Sequence, residues 1–234
     1  MFENKDHIIF DLDGTLIDTI GMWNNLDLIF LDRFGVHPEN IHKEREDFIH
    51  NHPSGSNLYL LYNQYLIDKY NIVGYTPIEI EKERRRLGWD YQANIIDLKP
   101  GAADFLKKAR RKGYTLTLAT ISTKEQIYIY SVKNQNIRKQ ISFQDVFNGG
   151  ILTVNDVKKS KPNPEIYETA LRKANKTKEE SMVIEDSLNG VKASKKAGIT
   201  TTVIYDKYAN HDREQINALA DYEVKDYYEL IKKI

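Results

Sequence analysis

The chain has 234 residues, of which 41% are hydrophobic and 29% are charged, a composition that suits one large globular domain or a core domain with a small insert. Lysine and arginine together number 34, as do aspartate and glutamate, so no net field directs the chain to nucleic acid or to an anionic membrane. The absence of cysteine excludes disulfides and thiolate metal sites, and without a signal segment or a run near the roughly 18 apolar residues of a membrane span we expect a cytoplasmic protein.

Strands and helices alternate in most of the chain. Apolar runs of strand length occupy residues 7–10, 115–119, 181–184 and 201–204, and runs this apolar suit a parallel sheet that is covered on both faces. Helical spacing predicts helices over 101–113, 163–174 and 188–197, and the closing DYEVKDYYELIKKI predicts a short strand followed by a helix. This order predicts an α/β fold, a doubly wound, Rossmann-like parallel sheet.

Residues 18–97 have a different pattern. Apolar and aromatic residues recur there at helical spacing, and no segment has the period of a strand. We therefore predict an all-helical domain over 18–97, inserted into a core domain made of 1–17 and 98–234. The run Arg84–Arg85–Arg86 is expected to form a solvated helix face, because charge runs usually do.

The first predicted strand ends in FDLDGTLIDT, which starts at Phe10. Residues two apart in a strand face the same way, so Asp11 and Asp13 can approach one pocket at the carboxyl end of the strand, where open α/β sheets bind ligands. Gly14 lets the chain turn, Thr15 offers a hydroxyl, and a hard divalent cation would relieve the repulsion between the carboxylates. The alternative is an aspartate-rich turn that only stops the strand.

Three further polar groups follow later strands or precede helices. Thr120 closes LTLAT, Lys161 lies in KSKPNPEIY where prolines start a helix, and Glu185 and Asp186 end MVIED. Each has an ordinary alternative: a β-favouring threonine, a surface lysine, and an acidic residue that caps the next helix. Burying two strand-end carboxylates without a cation is costly, however, which favours a functional site.

Together, the segments FDLDGTLIDT, LTLATIS, KSKPNPEIY and VIEDSLNGVKASKKAGI resemble the four motifs of the haloacid dehalogenase (HAD) superfamily. The match spans nearly the whole chain. It is similar to the subgroup that carries a helical cap between the first and second motifs, a cap that closes over the core and supplies substrate contacts. The dehalogenase branch lacks an aspartate two residues past the nucleophile and needs no magnesium, whereas this chain has Asp13 and the Glu185–Asp186 pair, so the resemblance does not imply carbon–halogen cleavage.

The resemblance implies a role for each motif residue. Asp11 would be the nucleophile that forms an aspartyl-phosphate, and Asp13 the general acid and base. Thr120 and Lys161 would bind the transferring phosphoryl group, with Lys161 also orienting Asp11.

The resemblance also implies a metal ion and a substrate pocket. Mg²⁺ would be held by Asp11, the backbone carbonyl of Asp13 and Asp186, with help from Glu185 directly or through water. The residues expected to contact substrate are Gly14, Thr15, Trp23, His52, Ser54 and Ser122. For His52 itself, an exposed loop histidine is the ordinary alternative.

The function implied is a phosphatase, a phosphomonoester hydrolase acting on a small phosphorylated metabolite, and we expect a monomer with no nucleic-acid partner. A β-phosphoglucomutase-like phosphotransferase is the alternative. That branch has a histidine where this chain has Trp23 and an arginine in the cap loop, whereas NHPSGS has none. A non-catalytic binding protein on the same fold is a remote third possibility, because every motif residue is retained.

Overall fold

The computed structural model describes residues 1–19, 21–52 and 58–234, with the backbone alone at Trp23, Asn24, Glu46, Ile49 and His50. The chain divides into two compact units, which we call the core unit, Met1–Ile20 with Ala93–Ile234, and the helical unit, Gly21–Gln92. Two antiparallel segments of the core unit adjoin the boundary: Ile17 bridges Leu98, and the backbone N–H of Lys99 donates to the carbonyl of Leu16 at 2.8 Å.

The core unit contains one six-stranded sheet in which every strand pairing is parallel. The strands are β1 His7–Phe10, β2 Thr115–Ala119, β3 Gly150–Leu152, β4 Ser181–Glu185, β5 Thr200–Ile204 and β6 Tyr222–Val224. Their order across the sheet is β3-β2-β1-β4-β5-β6, so the chain moves outward from β1 in one direction and then in the other. This is the doubly wound arrangement, and the predicted fold class is confirmed.

The helical unit comes first in the order of helices. It contains α1 Met22–Asp32, α2 Ile41–Asn51, α3 Leu58–Tyr70 and all but the last two residues of α4 Pro77–Asn94, and no strand is found among its described residues. In the core unit follow α5 Ala102–Arg111, α6 Lys124–Tyr128, α7 Gln135–Arg138, α8 Phe143–Val146, α9 Glu165–Ala174, α10 Leu188–Lys196, α11 Arg213–Leu219 and α12 Tyr227–Lys233. A π-helical turn at Ile129–Lys133 and short 3₁₀ turns at Val154–Asp156 and Lys207–Asp212 complete the unit. In the described ranges, every helix is too short or too polar to cross a bilayer.

Both faces of the sheet are covered, which explains its continuous apolar strands. Successive residues of β1 point to opposite faces. Ile9 belongs to a buried cluster that includes Tyr167 of α9 and Val183 of β4, while the ring of Phe10 lies 6.1 Å from that of Phe105 in α5. The sequence did not predict β3, because its three residues at the sheet edge are too short a run to show a period.

The interior of the helical unit contains a buried ion pair that corrects one prediction. Arg84 was expected on a solvated face, but its side chain is only 2% exposed, and its Nη2 lies 2.7 Å from Oδ1 of the fully buried Asp27. Arg84 also donates to Asn63 at 2.8 Å, and the Tyr62 hydroxyl donates to Asp27 at 2.9 Å. Position 84 lies on the buried face of α4, so helical geometry outweighs the charge run.

Candidate active site

The carboxyl ends of three neighbouring strands bring the predicted catalytic residues together. β1 lies between β2 and β4. Asp11 directly follows β1, Thr120 directly follows β2, and Glu185 is the last residue of β4. Parallel strands end at the same edge of a sheet, so residues separated by more than a hundred positions meet there. Asp11, Thr120 and Glu185 are all buried.

Lys161 ties two of these strand ends together. Its Nζ donates to Asp11 Oδ1 at 2.6 Å, to Glu185 Oε1 at 2.7 Å and to the carbonyl of Ala119 at 3.1 Å. A lysine ammonium has three donors, and all three are used. Burial lowers the pKa of Lys161, but the charges of Asp11 and Glu185 outweigh it and hold that pKa well above its ordinary value. Lys161 is therefore a buried cation and not a surface lysine.

Among the described residues, the carboxylate of Glu185 accepts five hydrogen bonds. Lys161 and the Tyr167 hydroxyl, at 2.8 Å, donate to Oε1. Oε2 accepts from the backbone N–H of Asp186 and from both the N–H and the hydroxyl of Ser187, each at 3.0 Å. Burial raises the pKa of Glu185, but Lys161 and these donors outweigh it and lower the pKa below its ordinary value. Glu185 is thus an ionised group with its acceptor sites filled.

Gly190 leaves space for the Glu185 carboxylate. Ser187 caps α10, its hydroxyl accepting from the N–H of Gly190 at 3.2 Å. A Cβ on Gly190 would stand only 1.6 Å from Glu185 Oε1. The carboxylate therefore lies directly against the first turn of α10, and only glycine fits at that position.

The turn after β1 presses against Asp186. Gly14 has φ of +82°, and a Cβ there would lie 2.3 Å from Asp186 Oδ2. The Thr15 hydroxyl donates to Asp186 Oδ1 at 2.7 Å, and the buried Tyr227 hydroxyl of α12 donates to the Thr15 carbonyl at 3.1 Å. In the structure, then, the predicted substrate residues Gly14 and Thr15 adjoin a predicted metal ligand.

Asp13 is held by hydroxyl groups. Its Oδ1 accepts from Thr19 at 2.7 Å, and its Oδ2 accepts from Ser122 at 2.6 Å and from Thr120 at 3.4 Å. The Thr120 hydroxyl also accepts from the N–H of Ser122 at 2.9 Å. Two predicted residues, Thr120 and Ser122, thus meet at Asp13, while Thr19 was not anticipated, since a single threonine carries no sequence signal.

The acidic residues fit a divalent metal. Asp11, Glu185 and Asp186 each offer an oxygen, and these atoms all lie within 4.8 Å of one another. Burial raises the pKa of Asp11 to about 8, against the opposing charge of Lys161. Burial, with the neighbouring charges of Glu185 and Asp11, also raises the pKa of Asp186 well above its ordinary value. A cation would favour the ionised forms of both aspartates, so the donor set suits a hard metal ion.

Three predicted substrate residues fall in the helical unit. Trp23 lies in α1, where only its backbone is described, and Ser54 lies outside the described residues. His52 directly follows α2, and its ring stacks on that of Phe48 at 3.9 Å between centroids, with Nδ1 lying 2.8 Å from the Phe48 carbonyl. A substrate role for these three residues stays a prediction.

Comparison with known proteins identifies a family and relatives of this chain. A family model described as haloacid dehalogenase-like hydrolase matches residues 8–204. The phosphorylated carbohydrates phosphatase of Thermotoga maritima is 28% identical over 193 residues, which span 82% of this chain and 81% of that protein. Protein CbbY of Cereibacter sphaeroides is 33% identical over 122 residues, but that alignment spans 50% of this chain and 49% of CbbY.

A solved structure shares the fold. The crystal structure of CbbY from Rhodobacter sphaeroides in complex with phosphate matches with a TM-score of 0.66 at 24% identity, covering 97% of this chain and 96% of that chain. The family match extends from β1 to the end of β5 and so includes all four motifs. The prediction of a hydrolase of this superfamily is confirmed: the chain belongs to the haloacid dehalogenase-like hydrolases.

Proposed function

We propose that the protein is a Mg²⁺-dependent phosphomonoester hydrolase that acts on a small phosphorylated metabolite through an aspartyl-phosphate. One observation carries the proposal. Lys161 holds Oδ1 of Asp11, whereas Oδ2 of Asp11 accepts no hydrogen bond from the described residues. A buried carboxylate with one oxygen anchored and the other uncommitted suits nucleophilic attack, because its orientation is fixed before substrate binds.

The proposed reaction has two displacements at phosphorus. Asp11 attacks the phosphoryl group, the ester P–O bond breaks, and the leaving oxygen takes a proton from Asp13. The same carboxylate of Asp13 then removes a proton from water, whose oxygen attacks phosphorus, releasing inorganic phosphate and restoring Asp11. The Lys161 ammonium and the Thr120 hydroxyl offset the charge on the phosphoryl oxygens in both steps.

The proposed magnesium ligands are carboxylate oxygens of Asp11 and Asp186 and the backbone carbonyl of Asp13, with Glu185 completing the acidic cluster. When bound, the ion supplies positive charge beside the phosphoryl group and lowers the repulsion between an anionic nucleophile and an anionic substrate. Thr15 orients Asp186 through the hydrogen bond to Oδ1, which leaves Oδ2 uncommitted among the described residues.

The names of the relatives support one class of substrate. The T. maritima relative is named for phosphorylated carbohydrates, so sugar phosphates stand first among the substrates we propose. Gly14, Thr15 and Ser122 would contact the phosphoryl group, and Trp23, His52 and Ser54 the rest of the molecule. A mutase remains the competing activity, and it differs in needing a sugar bisphosphate primer.

The experiment is phosphate release from a panel of phosphorylated metabolites, with Mg²⁺ and with chelator. The panel includes hexose and pentose phosphates, phosphoglycolate, nucleoside monophosphates, and β-glucose 1-phosphate primed with its bisphosphate. We expect release from one or a few esters only with Mg²⁺. Conversion of the glucose phosphate without phosphate release would favour the mutase, and no turnover of any kind would refute both.

A variant pair tests the nucleophile. Asp11→Asn should lower turnover by at least about 1,000-fold, because the amide cannot form the acyl phosphate. Asp104→Asn is the matched control, since Asp104 is exposed in the first turn of α5, and it should keep full turnover. Far-UV circular dichroism should be the same for both. Full activity in Asp11→Asn would refute the mechanism.

A further inference from the structure

We propose that Tyr167 is a positioning residue: together with Glu185 it holds the ammonium group of Lys161 against Asp11, and Glu185 serves there as an anchor instead of a direct metal ligand. The inference rests on the proposed function and assigns a task within the same site. Tyr167 ends the KSKPNPEIY segment, in which only Lys161 is predicted to act on the phosphoryl group, and Ile166 and Ala170 near it in α9 are buried apolar residues.

Three hydrogen bonds determine the position of the Lys161 ammonium group. Its three donors go to Asp11 Oδ1, Glu185 Oε1 and the Ala119 carbonyl. The Ala119 carbonyl is part of the backbone and cannot move independently, whereas Glu185 could change rotamer. The position of the ammonium relative to Asp11 therefore depends on what fixes Glu185.

Glu185 is fixed by hydrogen bonds to both of its carboxylate oxygens. Its Oε2 is fixed from the α10 side by Asp186 N–H and by Ser187. On the other side, Oε1 accepts from Lys161 and from the Tyr167 hydroxyl. Tyr167 is the one donor to Oε1, among the described residues, that is not itself the cation being positioned. Without it, the ammonium and the carboxylate could shift together.

Tyr167 is itself fixed by its packing in the core. Its side chain is fully buried in the cluster that contains Ile9 and Val183. Lys161 Nζ lies 4.9 Å from the centroid of the Tyr167 ring, which is a cation–π distance. Tyr167 therefore contacts both members of the Lys161–Glu185 pair, one through its hydroxyl and the other through its ring.

Glu185 differs from Asp11 and Asp186 in the number of hydrogen bonds that its carboxylate already accepts. A carboxylate has about four lone-pair sites, and Glu185 already accepts five hydrogen bonds. Asp11 and Asp186 each retain one oxygen that accepts none from the described part of the chain. A cation bound by Glu185 would have to displace protein donors. Asp186 can bind one through Oδ2, and Asp11 through the second lone pair of Oδ1, without losing a hydrogen bond, and Asp11 Oδ2 then stays available for the attack on phosphorus.

The principal test is Tyr167→Phe, which removes the hydroxyl and keeps the ring. Loss of a group that orients a site residue typically lowers activity about 10- to 100-fold. We expect kcat to fall about 10-fold, with KM for the ester within about twofold and Kd for Mg²⁺ within about threefold of wild type. The matched control is Tyr114→Phe, because Tyr114 lies just before β2, at the opposite end of the sheet, and its hydroxyl makes no hydrogen bond with described residues. It should keep wild-type values throughout.

Two measurements without turnover complete the test. In calorimetric Mg²⁺ titrations, Glu185→Gln and Tyr167→Phe should bind the ion within about threefold of wild type, while Asp186→Asn should bind it at least about 10-fold more weakly. In urea unfolding with chelator, Tyr167→Phe should lower the folding equilibrium constant by about 10-fold, because it removes a buried hydrogen bond to a charged acceptor. Tyr114→Phe should lower that constant by less than about twofold.

These results distinguish failure of the inference from failure of the proposed function. Absence of wild-type turnover refutes the proposed function, and the titrations and unfolding then decide the inference. A kcat for Tyr167→Phe within twofold of wild type overturns the positioning role. Equal weakening of Mg²⁺ binding in Glu185→Gln and Asp186→Asn overturns the anchor role, and so does a Tyr167→Phe variant as stable as Tyr114→Phe.

Discussion

Gly190→Ala tests how tightly Glu185 is seated on α10, and Gly88→Ala is its control. Both glycines lie inside helices, Gly190 in α10 and Gly88 in α4. A Cβ at Gly190 would stand 1.6 Å from Oε1 and 1.9 Å from Cδ of Glu185. A Cβ at Gly88 would meet Leu26 Cδ1 at 3.5 Å, an ordinary van der Waals contact. The same chemical change should therefore have opposite effects at the two positions.

The two magnitudes follow from the contacts. In a helix interior, alanine in place of glycine stabilises by about 0.5–1 kcal/mol, and we expect that gain at Gly88. At Gly190 the new methyl group must displace the Glu185 carboxylate, which has no exposed surface. Breaking a buried ion pair costs about 3–5 kcal/mol, so the net loss at Gly190 should be about 2–4 kcal/mol after subtracting the helix gain.

The assay is urea unfolding in the presence of chelator. Far-UV circular dichroism follows both units, whereas tryptophan fluorescence follows the helical unit, because both tryptophans of the chain lie within residues 21–92. Two transitions, if present, are fitted separately. Gly190→Ala should lower the dichroism midpoint and Gly88→Ala should raise the fluorescence midpoint. A Gly190→Ala protein within about 0.5 kcal/mol of wild type would refute the seating of Glu185 described above.

Two further predictions concern buried ionisable side chains away from the site. Arg84→Met should destabilise the helical unit by about 3–5 kcal/mol, since it removes the ion-pair partner 2.7 Å from the buried Asp27, and adding Asp27→Leu should restore most of that loss; a double variant no more stable than Arg84→Met, by urea unfolding, would contradict the pairing. His7 is predicted to weaken the core unit in acid, because burial lowers its pKa from 6.5 to about 4: the folded state holds the neutral ring, so stability is complete above pH 6.5 and falls as pH drops toward 4. Between pH 7 and pH 5 wild type should lose about 2 kcal/mol more than His7→Gln, and equal losses would contradict it. The charged groups near His7 that accompany burial are Lys176, Asp6 and Glu180.

The sheet and the strand-end motifs could be predicted because each depends on local sequence. A buried parallel strand is a continuous apolar run, and the polar residue that ends it marks the ligand edge. The predicted strands therefore coincide with β1 and β2, and β4 and β5 are each one residue longer than predicted. The partner of a buried charge is different: the helical spacing of Ile80, Arg84 and Leu87 places Arg84 on the buried face, but no local pattern pairs it with Asp27, which is far away in the chain.

The Glu185–Asp186 pair shows the same limit within the site. As two adjacent carboxylates, they suggest two metal ligands, and their residue types do not separate them. The pleat of β4 separates them, because Glu185 faces the same way as Val183, into the cluster that contains Tyr167. Asp186, the next residue, contacts the turn at Gly14 and Thr15. Alternation at the end of a strand thus assigns one carboxylate to Lys161 and the other to the ligand edge, which is why Glu185→Gln and Asp186→Asn should differ in Mg²⁺ binding.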